Sequence, residues 1–164
     1  MRQLEKSESR LRELVIGVIE DVLTKPPGCR LVKSCDLIFT NKRLICVKIG
    51  ESSLVKTLYG LTSGASGAYV FFRLSASEQE EFRKKIYGLE LDRILKLDES
   101  NYAILYEDIR GGVFKTGFLS TLGFMAPLII YTWDGRKFTY SIYLAFKEKA
   151  KTLIKSLLPQ VQIK

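Results

Sequence analysis

Apolar residues recur at threes and fours near the N-terminus: Leu4, Leu11, Leu14, Val15, Val18, Ile19 and Val22. That spacing predicts an amphipathic helix over 2–24. Pro26-Pro27-Gly28 would end it, because proline breaks the helical ladder. The β-branched stretch from Leu14 to Ile19 would also suit a first strand.

Between 30 and 50 the period changes to two. Ile45, Val47 and Ile49 fall on one side, with Leu44, Cys46 and Lys48 on the other. Leu37 and Phe39 oppose Ile38 and Thr40 before a turn expected at Asn41-Lys42, where asparagine can adopt a left-handed backbone. Residues 51–75 are rich in glycine and serine and end in the apolar run Tyr69-Val-Phe-Phe72. Ser77-x-x-Glu80 reads as a capping box. It predicts a helix over 78–87, with a shorter one near 91–97.

The last third returns to strands. Tyr102 to Tyr106 is short and apolar, and Arg110-Gly111-Gly112 leads into Val113-Phe114. Leu128 to Ile142 reads as a hairpin around Asp134-Gly135, a type I′ signal. A final helix over 144–158 carries Phe146, Ala150, Leu153 and Leu157 on one stripe, and Pro159 stops it. Strands followed by one packing helix suggest an antiparallel sheet or open barrel with an α+β insert.

Composition narrows the function. The net charge is +8 and there is no histidine. A basic balance favours anionic partners. Lacking histidine, the chain has neither the usual general base nor the commonest transition-metal ligand. Cys29, Cys35 and Cys46 show no Cys-x-x-Cys spacing, so neither a zinc site nor a disulfide framework is expected. A reducing, cytoplasmic setting follows. No signal-peptide pattern is present. Thr57 to Phe72 and Thr116 to Trp133 are uncharged but interrupted by glycine or proline. Both fall short of the ~20 apolar residues an ordinary transmembrane helix needs.

Asp36-Leu-Ile-Phe-Thr-Asn-Lys-Arg-Leu-Ile45 resembles the "LxxTNKRLI" signature of bacterial-type pleckstrin-homology-like domains, which are related in shape to GRAM domains. Tyr106-Glu-Asp-Ile109 is similar to their "Y-x-D-I" strand end, and Leu128 to Tyr140 to their "LxIxTxDGRKxxF" hairpin. Leu89 to Ile104 resembles a pattern of uncharacterised prokaryotic, notably archaeal, members. The resemblance covers about 30–50 and 100–158. It implies an α+β fold, a pleckstrin-homology-like antiparallel β-barrel or roll. A C-terminal helix would cap it, with a helical insert and an N-terminal helix. The expected organisation is an N-terminal helix and linker over 1–28, one domain over 29–158 with its insert at 51–99, and a tail over 159–164. The scaffold does not specify a ligand.

Candidate binding residues follow from charge. Lys42 and Arg43 at the hairpin turn could engage phosphate, although a solvated turn with Arg43 packing its stem or pairing with an acidic neighbour is the simpler reading. Lys147, Lys151 and Lys155 lie at i, i+4 and i+8 and suit an anionic surface, although packed helices commonly carry such a face. Gly60, Gly64 and Ala68 form a small-residue face. With Tyr69, Phe71 and Phe72 they could anchor in lipid or meet another chain, or form a loop packed on the barrel. Phe118 and Phe124 belong to a second apolar stretch that would otherwise join the core. Glu107 and Asp108 would point to opposite strand faces and make no catalytic dyad.

The expectation is a non-enzymatic interaction module without cofactor or metal. It would associate peripherally with an anionic membrane or a membrane-linked protein. A protein-binding or homo-oligomerising module using the insert is the alternative. Nucleic acid is disfavoured, because Glu78, Glu80 and Glu81 interrupt the Arg83-Lys84-Lys85 cluster.

Overall fold

The computed structural model describes residues 13–24, 33–51, 79–117 and 125–164. The fold is α+β. Eight strands form one mixed sheet: β1 (Val15–Thr24), β2 (Lys33–Thr40), β3 (Arg43–Glu51), β4 (Tyr102–Leu105), β5 (Ile109–Phe114), β6 (Met125–Thr132), β7 (Lys137–Tyr143) and β8 (Val161–Ile163). Three helices accompany them among the described residues: α1 (79–86), α2 (Leu91–Lys96) and α3 (Lys147–Leu157).

Strand order is β4-β3-β2-β1-β7-β6-β5-β8. The expected barrel is therefore not closed, since β4 and β8 are the two edges of an open sheet. The chain leaves four-residue β4 through a 3-10 turn at Tyr106–Asp108, so no ladder joins β4 to β5. The other edge of β5 is taken by β8, which runs parallel to it and makes the sheet mixed. Residues 159–164, expected as a tail, thus contribute a strand, and Val161 sits in the core.

The expected N-terminal helix is corrected over Val15–Thr24, where the chain is strand; residues 2–12 lie outside those described. Two register shifts against β2 explain the helical look of the sequence, one at Ile16 and one at Glu20-Asp21. Each inserts a residue and reverses the inward–outward alternation. Val15, Val18, Ile19 and Val22 therefore acquire a spacing of threes and fours without a helix. Asp21 takes a left-handed backbone at the second bulge (φ 55).

The sheet has two apolar faces. Its inner face gathers residues from all eight strands and α3 into the main core, including Ile19, Leu37, Ile104, Phe114, Ile130, Tyr140, Ile154 and Val161. Ala150, Leu153 and Ile154 are the buried positions of α3, with Phe146 and Leu157 beside them. Leu153 lies over Gly17, where an added Cβ would meet its methyl carbons at 2.8 and 3.0 Å. On the outer face Ile38, Ile45, Val47 and Ile49 pack under Ile86 of α1 and Ile94 of α2. Both sides of β3 are thus buried, as its alternating apolar residues require.

Both hairpins form, the first turning at Asn41-Lys42 as expected, but the backbone of each turn differs from the one expected. Asn41 has no positive φ. It extends the β1–β2 ladder instead, accepting from the Leu14 N–H through Oδ1 (2.9 Å) and donating its own N–H to the Leu14 carbonyl (3.0 Å). The turn is held by the Thr40 hydroxyl, which accepts the N–H groups of Lys42 (3.0 Å) and Arg43 (2.9 Å). In the β6–β7 hairpin Asp134 likewise has no positive φ, so the turn is not type I′. The Gly135 N–H reaches the Thr132 carbonyl at 3.1 Å, and Gly135 alone is left-handed (φ 84). This is a three-residue loop with a glycine bulge.

Candidate functional site

The region where α1 and α2 meet the outer sheet face holds the densest polar chemistry among the described residues. Asp36 shares the outward side of β2 with Ile38 and is fully buried. Its carboxylate accepts from Arg83 Nε (2.8 Å), Arg83 Nη2 (2.9 Å), the Tyr87 hydroxyl (2.6 Å) and the Asp21 N–H (3.0 Å). Arg83 Nη2 also reaches Asp21 at 2.8 Å. The bulge in β1 thus presents an amide and a carboxylate, and α1 supplies the guanidinium. Bonding to Asp36 holds the Arg83 pKa far above its ordinary range. Burial, then the bond to Asp36, pushes the Tyr87 phenol up as well. A buried carboxylate is tolerated here because its acceptor positions are satisfied.

A second cluster lies at the β2–β3 turn. Glu13 accepts from Arg43 Nε (2.9 Å) and Nη2 (2.8 Å), a bidentate pair, and from the Thr40 hydroxyl (2.8 Å). Arg43 Nη2 also bonds Asp92 of α2 at 2.7 Å. The Tyr106 hydroxyl donates to the Thr40 carbonyl at 2.8 Å, tying the 3-10 turn to the same hairpin. Thr40, Arg43 and Tyr106 of the two sequence motifs therefore meet in space as structural partners.

Between these clusters lies a cleft of about 510 Å³. Val15, Val18, Ile38, Leu91 and Ile94 supply its apolar lining, while Glu13, Arg43, Tyr87, Glu90 and Asp92 supply its polar groups. Arg43 faces two carboxylates, which raises its pKa, chiefly through Glu13. An incoming anion would have to displace one of them.

The other sequence candidates are dispersed. Lys42 is exposed at the turn. Lys147 and Lys151 are half-buried beside the packed face of α3, and Lys155 is exposed. The stripe therefore runs diagonally off the buried edge of the helix rather than along its far side. Lys149 is also exposed, but on the opposite flank of the helix, across the buried face from the stripe. Gly60, Gly64, Ala68, Tyr69, Phe71, Phe72, Phe118 and Phe124 lie outside the described residues, as does Ser77 of the capping box.

Sequence reasoning missed the Asp36–Arg83 pair and the acidic members of the cleft. An aspartate inside an otherwise apolar strand was the available signal, since such a residue needs a cation from elsewhere. It also missed Trp133, 69% exposed at the β6–β7 tip. Cys35 and Cys46 are buried free thiols, and burial raises the Cys35 pKa. Among the described residues no group of side chains could hold a metal ion, and no helix is long and apolar enough to cross a membrane.

No protein-family model matches the chain, and no curated protein does. Among solved structures the chain is similar to the C-terminal domain of an unknown protein from Leishmania infantum. The two share 10% identity over 95% of each chain, with a TM-score of 0.47. That likeness is too slight to carry an argument about fold or function.

Proposed function

We propose that the chain is a non-enzymatic interaction module on a pleckstrin-homology-like scaffold, associating peripherally with anionic membranes at the cytoplasmic surface. The sequence motifs support the scaffold, as does the order of seven strands followed by α3. The open sheet and the added β8 are departures from it.

One observation carries the membrane reading. α3 turns Lys147, Lys149, Lys151 and Lys155 toward its solvent side and edges, against one acidic residue, Glu148. Lysines near an anionic leaflet contribute about 1 kcal/mol each. The half-buried stems of Lys147 and Lys151 reduce that figure. Arg43 drops out of this surface, because its guanidinium is committed to Glu13 and Asp92.

Sedimentation with phosphatidylcholine vesicles carrying phosphatidylserine tests the reading. Binding should weaken steeply with salt. Lys147→Gln, Lys151→Gln and Lys155→Gln together should lower affinity roughly tenfold or more. No pelleting at low salt, or an unaffected triple variant, sinks the proposal.

A further inference from the structure

We infer that the cleft between the α1–α2 turn and the outer face of β1 and β2 docks a peptide segment of a partner protein. The segment would carry aliphatic side chains flanked by lysine or arginine. This stands apart from the membrane reading, which rests on α3.

The inference starts from an inversion of charge. The chain as a whole carries +8. The cleft carries Glu13, Glu90 and Asp92 against one cation, Arg43. Arg43 is already bound twice by Glu13 and once by Asp92. Glu90 and Asp92 stand exposed at the rim, where a cationic side chain could reach them without being stripped of water. A phosphate or carboxylate ligand would meet uncompensated acid here.

Shape and chemistry select the remainder of the ligand. Val15 is 52% exposed and borders the cleft. With Val18, Ile38 and Ile94 it offers an apolar floor that an aliphatic side chain can cover. Along Val15–Val22, the edge of β1 away from β2 pairs with no other strand among the described residues. An extended backbone can hydrogen-bond along such an edge while alternate side chains enter a pocket. An apolar cleft rimmed with carboxylates and bounded by β1, whose far edge is unpaired along Val15–Val22 among the described residues, thus fits an extended basic segment.

The test uses the full chain and three labelled synthetic peptides followed by fluorescence anisotropy. They are Gly-Lys-Leu-Leu-Lys-Gly, its Ser-Ser twin and its Glu-for-Lys twin. Long-range electrostatics disfavours the first peptide, since both molecules are cationic, so binding must come from a local acidic site. It should bind with a Kd below about 1 mM, and each twin at least tenfold more weakly. Glu90→Lys with Asp92→Lys should weaken it tenfold or more. Methyl NMR shifts should centre on Ile38 and Ile94. No binding at 1 mM, equal binding of the Ser-Ser twin, or shifts centred on α3 would overturn the proposal. So would a self-association in sedimentation equilibrium that Glu90→Lys abolishes, because the occupant would then be a second copy.

Discussion

Arg83→Met should lower global stability by about 3–5 kcal/mol, the usual cost of breaking a buried ion pair from one side. The structure supplies the reason. Asp36 is 0% exposed and accepts four hydrogen bonds, two of them from this guanidinium at 2.8 and 2.9 Å. Charge-assisted bonds of this kind contribute about 1.5–3 kcal/mol each. Their loss leaves a carboxylate under α1 with only the Tyr87 hydroxyl and the Asp21 amide. Asp21 loses a partner too, but its side chain is 41% exposed and water replaces the bond. With a urea m-value of roughly 2 kcal/mol/M, the midpoint should fall by about 1.5–2.5 M. Urea titration followed by far-UV circular dichroism reads this directly. A cycle with Asp36→Asn isolates the pair. In the double variant the introduced carboxamide oxygen would still accept the Asp21 N–H, and no buried charge remains. The double variant should therefore be at least about 2 kcal/mol more stable than additivity requires. A single-variant cost under about 1 kcal/mol, or simple additivity, would refute the claim that this pair holds α1 to the sheet.

Gly112→Ala should destabilise by about 2 kcal/mol or more, because its Cβ would run into the carbonyl oxygen of Ile129 on β6, which is backbone and cannot swing aside; thermal melting reads the loss. Lys48 at 2.8 Å lowers the Asp98 pKa to about 2. A depressed folded-state value contributes stability above the unfolded pKa near 3.8, and the contribution disappears as pH falls toward 2. The side chain is 33% exposed, so screening reduces the effect to about 1 kcal/mol. Wild type should exceed Asp98→Asn at pH 5 and match it near pH 2, and a gap that persisted at pH 2 would rule this out. Arg43→Met should cost about 1–3 kcal/mol, since Glu13 is 19% exposed and loses both halves of its bidentate pair. It should leave vesicle binding within twofold of wild type, whereas a tenfold loss would return Arg43 to the binding surface.

The β2–β3 hairpin, the β6–β7 hairpin and α3 were legible because each keeps one period from end to end. Leu44 and Cys46 face the inner core while Ile45, Val47 and Ile49 face outward, as their alternation requires. β1 was misread because two bulges change its phase mid-strand and imitate a helix. β8 is three residues long and carries too little pattern to register. Turn types failed for a related reason. Asn41 and Asp134 permit left-handed backbone, but tertiary bonds from Leu14 and a glycine one position later made it unnecessary. Of the candidate site, Arg43 was read with its acidic-partner alternative in view, but the partners lie 30 and 49 positions away. No local pattern announces Glu13 and Asp92. The Asp36–Arg83 pair spans 47 positions, and only the oddity of an acid in an apolar strand hinted at it.

The junction between the two halves of the sheet has a consequence for how the chain is made. β1 meets β7 through two residue pairs, Leu23 with Ser141 and Thr24 with Tyr140. Thr24 bonds the carbonyl of Thr139 across 115 positions. While the ribosome is still working through the middle of the chain, β1, β2 and β3 have emerged with their inner face uncovered. The residues that cover it, β7 and then Leu153 above Gly17, appear about 115 positions or more later. Nascent chains should therefore engage chaperones until α3 clears the exit tunnel, and folding should be slow, because these contacts close loops of about 115 residues or more.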